Sequence, residues 1–478
     1  MWINTREGMP NSAEQNFQVY NGLDCCVTAE ILRKRYQNID KHSRITYNFM
    51  RALQQPSLEM SLRGIRLDGT LVPEKVRHIQ EEMERLTEIF RQCSEALWGE
   101  EILISSPQKI IKAFNSMGHK LQSSNRETLE SFDPYMHEGF MARLILEYRD
   151  REKLLQALQA KKIKDYRFHA TFKVAGTKTG RWASSKDPYG RGSNLQNITE
   201  RVKTVFIADP GMKLAYIDGS QAESRAVAYL APDEEYIQSC EMGDVHTMVA
   251  KMVWPELDWT GDLKQDKKIA ESPYYRFFTY RDLAKRGQHG TNYYGTPFTM
   301  AKHLHIEKEV MEDFQKRYFT AFSGIQRWHS NTITELHSKR CLITPVGRKR
   351  TFFGRPGDSS TVRSAIAQRP QSLVGDYINI GLFRVWYNFP EVQVLAQVHD
   401  AILIQYPEDR EEELLPKICR TMEPEIKVRD KTMVIPAEAK VGWTWAGKSD
   451  DVPHGLMEVE GKDERERPRE AELLDTRL

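Results

Sequence analysis

The chain is poor in cysteine, in long apolar runs and in net charge, and each shortage closes off a class of protein. Six cysteines stand among 478 residues, at positions 25, 26, 93, 240, 341 and 419. None forms a C-x-x-C pair and none has zinc-finger spacing. A disulfide scaffold and a structural zinc site are therefore excluded, and reduced thiols in a cytosolic compartment are expected. No apolar run approaches the roughly 18–20 residues of a membrane-spanning helix, so no membrane partner is expected. The opening stretch, 1–7, lacks the basic-then-apolar pattern of a secretory signal. No internal repeat is visible. A hydrophobic content of 40% is that of a globular protein large enough for several subdomains.

The formal net charge is only +2, but it is unevenly spread. Residues 447–478 hold 6 basic and 10 acidic residues with few aromatics, and read as a disordered tail; without them the body carries +6. Segment 161–186 has eight Lys or Arg against the single acid Asp165, with Tyr166, Phe168, Phe172 and Trp182 interleaved. That pattern fits phosphate neutralisation with stacking surfaces, and fits a solvated basic face over core aromatics equally well.

Hydrophobic periodicity predicts a helix from Thr28 to Gln37 and long amphipathic helices over Pro73–Leu97 and Met141–Ile163, with a helix start at Ser105–Lys109. Strands are expected near 202–208, 213–218, 341–346 and 393–405, and mainly helix over 228–340. The mixture is α+β.

Two strands end in a carboxylate. Leu214-Ala-Tyr-Ile runs into Asp218, and Val394-Leu-Ala-Gln-Val-His399 runs into Asp400. A carboxylate on a buried strand is costly unless compensated, and two brought together suit a pair of divalent ions ~3.5–4 Å apart. Salt bridges or turns would explain either one alone. Between them Arg281, Lys285, His289 and Tyr293 recur every fourth residue, one face of a helix.

Taken together these residues resemble the family A, bacterial polymerase I-like, DNA polymerases, from about Tyr20 to Trp445. Asp218-Gly-Ser-Gln-Ala-Glu-Ser-Arg225 is similar to the family's Asp-Tyr-Ser-Gln-Ile-Glu-Leu-Arg. Arg281, Lys285, His289-Gly290 and Tyr293 are similar to Arg-x3-Lys-x3-aromatic-Gly-x2-Tyr, and Val398-His399-Asp400-Ala401 to Val-His-Asp-Glu. Thr179-Gly-Arg181-Trp with Asn194-Leu-Gln196-Asn197 resembles the primer-contacting segment.

The resemblance implies a right-hand fold and a DNA-directed DNA polymerase extending a primer with dNTPs by two-metal nucleotidyl transfer. The hand divides into palm entry at 41–72, thumb at 73–165, palm at 166–227, fingers at 228–345 and palm at 346–446. Two Mg²⁺ ions are implied at Asp218, Asp400 and the Gly219 carbonyl, with Lys285 able to protonate the leaving pyrophosphate. Gln221, Glu223, His246, Arg281, Lys285, His289 and Tyr293 are implied to bind nucleotide, Glu223 by excluding a ribose 2′-hydroxyl. Arg181, Asn194, Gln196, Asn197, Arg363, Gln371 and His399 are implied to contact primer-template DNA. The family's tyrosine is replaced by Gly219, which loosens the turn, and its glutamate by Ala401. Gly287 and Gly290 sit inside the helix, explained by close nucleotide approach or a bending point. Gly347–Arg350 adds phosphate contacts or is an exposed basic turn.

Tyr20 and Asp24 resemble the end of the family's 3′→5′ exonuclease, so 1–40 is expected to be a remnant, bacteriophage-type, leaving room for a separate exonuclease or processivity subunit. Location is expected to be the cytoplasm, that of a host if phage-encoded. Two alternatives stay open. A single-subunit RNA polymerase is opposed by Glu223. A catalytically inactive DNA-binding subunit is opposed by the intact Asp218, Asp400, Arg281 and Lys285.

Overall fold

In the computed structural model, residues 13–133, 135–158, 163–164, 166–187 and 190–459 are described. A six-stranded sheet forms the centre: β1 (Met212–Gly219), β2 (Gln393–Val398), β3 (Ala401–Pro407), β4 (Ala437–Gly442), β5 (Thr444–Gly447) and β6 (Gly455–Glu458). Their spatial order is β2-β3-β1-β4-β6-β5, antiparallel except for β5 with β6. Ile, Leu or Val stands at 214, 217, 394, 395, 398 and 402–404 of β1 to β3, and these side chains are buried, which suits a central sheet.

The helices that matter here follow in chain order. They are α1 (Ala13–Tyr36), α2 (Leu71–Trp98), α3 (Pro107–Ser116), α4 (His137–Leu158), α5 (Ala222–Leu230), α6 (Val245–Val253), α7 (Tyr280–Asn292), α8 (Pro297–Leu304), α9 (Lys308–Ala321) and α10 (Ser359–Asn388). The sheet, α5 to α10 and parts of the N-terminal region share one continuous core. A second, smaller core lies between α2, α3 and α4, built on Phe90, Ile110, Phe114, Met141 and Ile145. The helical block thus has a hydrophobic centre of its own. Ser106 caps α3 as its sequence suggests, accepting from the Lys109 amide. Among the described residues no helix is long and apolar enough to cross a membrane.

Several expectations need correction. The helix placed at Thr28 begins earlier, at Ala13. The helix expected to reach Ile163 ends at Leu158, and Ile163–Lys164 is a short strand. Residues 202–208 form no strand: a short helix, Glu200–Lys203, is followed by single bridges at Phe206 and Ile207. The buried apolar run Val202, Val205 and Phe206 is too short for periodicity to separate the two. The strand at 341 stops at Ile343 and pairs with Lys349–Thr351 across a turn in which Gly347 has φ 88°. The charged tail is ordered through 459, because β6 completes the sheet and Glu458 pairs with Lys440 at 3.1 Å; residues 460–478 lie outside the described residues. In the basic segment, Phe168, Phe172 and Trp182 are core, and Arg167 turns inward to Asp209 at 2.6 Å. Lys161, Lys162 and Asp165 fall outside the described residues.

Candidate active site

The two strand-end aspartates meet. Asp218 lies opposite Ala401 in the β1–β3 ladder, and the Gly219 amide donates to the Asp400 carbonyl at 3.0 Å. Val398 pairs with Ala401, so His399 and Asp400 make a two-residue hairpin turn, opened by the left-handed φ of 57° at His399. The Asp218 Oδ1 atom is buried and has no hydrogen-bond partner. Burial, then the Asp400 charge, then that of Glu438 push the Asp218 carboxyl well above the usual carboxylate range. Asp400 is also raised, mainly by burial. Paired carboxylates carrying an orphaned oxygen form a hard oxygen donor set, which suits a divalent cation such as Mg²⁺. Glu438, directly across β4 from Asp218, supplies a nearby charge that sequence reading missed. Among the described residues no three His, Cys, Asp or Glu side chains converge as a complete metal cage. Gly219 does not loosen its turn. It ends β1, and a Cβ there would sit 3.2 Å from Ile435 Cγ2 and 3.4 Å from the methyl of Ala222.

Glu223, in the first turn of α5, joins three elements. Arg181 donates to its Oε1 in a short ion pair, the Tyr293 hydroxyl donates to Oε2 at 3.0 Å, and His289 Nδ1 stands 3.6 Å from Oε2. Burial and the Glu223 charge raise the Tyr293 phenol strongly, so it remains a donor at neutral pH. The expected salt bridge of Glu223 to an arginine is present, and Arg181 supplies it.

The fourfold spacing holds on α7. Leu283, Ala284, Gly287, Gln288 and Thr291 are buried, while Lys285 and His289 are exposed and Arg281 half-buried. Thr279 caps the helix by accepting from the Asp282 amide. Gly287 and Gly290 have a packing cause. A Cβ at Gly287 would lie 2.5 Å from the Phe314 ring of α9, and one at Gly290 2.8 Å from Met300 Cε of α8.

Facing α7, Asp244 caps α6 and takes a two-pronged ion pair from Arg281, at 2.7 and 3.1 Å. His246 Nδ1 donates to Gln288 Oε1 at 3.3 Å, and burial lowers its pKa so that the ring is neutral near pH 7. Gln221 has φ 53°, and its amide braces the loop before α6: Nε2 donates to the Gly243 carbonyl at 2.8 Å, and Oε1 accepts from the Val245 amide at 3.0 Å.

On the other side of the hairpin, Asn194 accepts from Ser184 Oγ at 2.7 Å and from the Gln196 amide at 3.1 Å. Gln196 Nε2 donates to the Gln397 side chain at 3.0 Å, and Gln397 Nε2 to the His399 carbonyl at 2.6 Å. Gln397 therefore ties the short 195–197 turn to the Asp400 hairpin. Its signal was a glutamine inside an apolar strand, and sequence reading passed over it. Asn197 is in that same turn. Arg363 and Gln371 lie two turns apart on α10, Arg363 exposed.

Sequence reading also missed a buried ion pair. Arg348 Nε donates to Asp376 Oδ2 at 2.9 Å, both side chains being almost fully buried. Above it Gly180, with φ 85°, would place a Cβ 2.4 Å from the Arg348 guanidinium carbon, and Gly375 of α10 would place one 3.3 Å from Arg181 Cγ. Gly180 thus makes room for Arg348, and Gly375 for Arg181. Lys349 pairs with Asp40 at 3.2 Å and Arg350 donates to Gln368 at 2.7 Å, so the basic turn is engaged internally.

Known proteins fit this arrangement. The chain is 27% identical over 425 residues to the thermostable DNA polymerase I of Thermus filiformis, covering 82% of this chain and 47% of the relative. It is 26% identical over 427 residues to DNA polymerase I of Caldicellulosiruptor bescii, covering 83% and 47%. The chain spans about half the length of the curated relatives it matches. Among solved structures, the POL domain of Pol1 from M. smegmatis, in complex with DNA primer-template and dNTP, superposes with a TM-score of 0.69 at 21% identity, over 83% of this chain and 70% of that one. The fold is accordingly the α+β right-hand polymerase fold. The family model "DNA polymerase family A" matches residues 73–447, over three-quarters of the length, and the chain belongs to that family.

Proposed function

We propose that this protein is a template-directed DNA polymerase that extends a primer 3′-hydroxyl with dNTPs and releases pyrophosphate. The observation that carries the reading is the Asp218–Asp400 pair, with its raised carboxyls and orphaned Oδ1. Uncompensated paired carboxylates are a standing cost in the ligand-free protein, and a divalent cation removes it. Asp218, Asp400 and the Gly219 carbonyl would hold two Mg²⁺ ions, which when bound activate the primer hydroxyl and neutralise the leaving group.

The remaining roles belong to side chains. Arg281 and Lys285 bind the triphosphate from successive turns of α7, and Lys285 is placed to give a proton to the departing pyrophosphate. Glu223, fixed by Arg181 and Tyr293, closes the space at C2′ of the sugar. His289 and Tyr293 face sugar and base, and His246 and Gln221 shape the triphosphate end. Arg181, Asn194, Gln196, Asn197, Arg363, Gln371 and His399 contact the template-primer. Contacts to minor-groove acceptors shared by all correct pairs would test pair geometry without reading sequence. In this reading 73–165 is the thumb, 228–345 the fingers, and 41–72, 166–227 and 346–446 the palm. The motif of Tyr20 and Asp24, which resembles the end of an exonuclease domain, lies on an exposed part of α1.

The test is primer extension by purified protein with one dNTP at a time on templates of defined sequence. Incorporation of only the complementary dNTP, abolished by EDTA and restored by Mg²⁺, is expected. Untemplated addition, or no addition in Mg²⁺, overturns the reading.

A further inference from the structure

The two cations on α7 are not equivalent. Arg281 is already engaged: Nε donates to Asp244 Oδ2 at 2.7 Å and Nη2 to Asp244 Oδ1 at 3.1 Å. Lys285, one turn on, is exposed and has no ion pair among the described residues. Planar two-pronged pairing of this kind is the geometry in which arginine also takes phosphate. A triphosphate that uses Arg281 must therefore compete with a carboxylate in the same orientation.

That carboxylate is held in place. Asp244 Oδ1 accepts from the His246 amide at 3.3 Å and Oδ2 from Thr247 Oγ1 at 2.7 Å, which fixes it at the start of α6. The loop before it is braced by the Gln221 amide at the Gly243 carbonyl and the Val245 amide. Arg281 and Asp244 side chains are 25% and 27% exposed, so the pair is open to an entering ligand.

We propose that Asp244 is a positioning residue acting through Arg281: an internal counter-ion that presents the guanidinium, yields it to the incoming triphosphate, and reclaims it as pyrophosphate leaves. The inference rests on the nucleotide-binding reading of α7. Its consequence runs against that of an ordinary structural residue, because removing the charge tightens ligand binding.

The probe is Asp244→Asn, with Asp244→Ser as a second variant. Asn and Ser cap helices about as well as Asp, so both keep the α6 start while deleting the charge. Isothermal titration of the purified protein with dATP, and with inorganic pyrophosphate, each in Mg²⁺, is expected to show roughly tenfold tighter binding, the factor that accompanies about 1.4 kcal/mol. In primer extension the KM for dATP falls and product inhibition by pyrophosphate strengthens. In an Arg281→Ala background, Asp244→Asn changes nothing. Unchanged or weaker binding by both variants, with Arg281→Ala weakening dATP, overturns this inference alone. If Arg281→Ala leaves dATP binding intact, the nucleotide reading of α7 fails, and this inference with it.

Discussion

Replacing Asp218 by asparagine should stabilise the metal-free protein while destroying its chemistry. The side chain keeps its shape and loses its charge. In the native carboxylate Oδ1 is buried without a partner, Asp400 is beside it, and Glu438 stands across the strand. The folded-state pKa is raised above the ordinary value of 3.8. Protonation is thus favoured by folding: the stability this group contributes is full below pH 4 and is lost as pH rises through the folded value. At pH 8 the wild type carries the penalty of the buried charge, and the neutral asparagine variant does not. Burying a charge beside two like charges costs more than burying the neutral amide that replaces it, and a gain of about 1–3 kcal/mol is expected. One kcal/mol moves the melting temperature by about 2–4 °C in domains of 150–250 residues, so a rise of a few degrees is expected in EDTA at pH 8, shrinking towards pH 5. Divalent ion reverses the order. At a hundred times its Kd a ligand adds about 2.7 kcal/mol to the wild type, and the variant, with a donor removed, gains little. Scanning calorimetry of both proteins in EDTA and in Mg²⁺ reads all of this. A variant less stable than wild type in EDTA, or one stabilised equally by Mg²⁺, would refute the reasoning.

Glu223→Ala should admit rNTPs by opening the space at C2′ and releasing Arg181 and Tyr293, read as a fall in the dNTP to rNTP ratio of kcat/KM; an unchanged ratio in an active variant places the gate elsewhere. Gly287→Ala pushes a methyl into the Phe314 ring and should cost about 1–3 kcal/mol of stability, with a matching drop in denaturant midpoint. Arg348→Met strands Asp376 in the core and should cost about 3–5 kcal/mol, whereas Arg348→Met with Asp376→Leu should recover most of it; equal losses in the single and double variants would show that the pair is not the cause.

The legible parts of this molecule were those where one local pattern carried the information. Asp218 and Asp400 stood out because a charge ended an apolar run, and the α7 face stood out because four side chains recur at helical spacing. The Glu223 junction was only half legible. Its partners Arg181 and Tyr293 lie far away on both sides in sequence, and only the fold brings them to one carboxylate. The packing around Gly287 and Gly290 was hidden for the same reason, since it comes from a ring and a thioether on α9 and α8. The Arg348–Asp376 pair hid inside a basic run that looked solvent-facing, and Gln397 inside a strand. The tail was misjudged on composition: β6 is secured by pairing with β4 and β5, which composition does not report.

The central claim is that Asp218 and Asp400 carry the chemistry of nucleotidyl transfer and not the grip on DNA. Single-turnover extension of a labelled primer-template in Mg²⁺, with template-primer affinity measured on the same preparations, tests it directly. Asp218→Asn and Asp400→Asn should each bind DNA within a few-fold of wild type and extend it slower by at least about a thousandfold, the factor for roughly 4 kcal/mol of lost transition-state stabilisation. Extension at near wild-type rate by either variant would contradict the account.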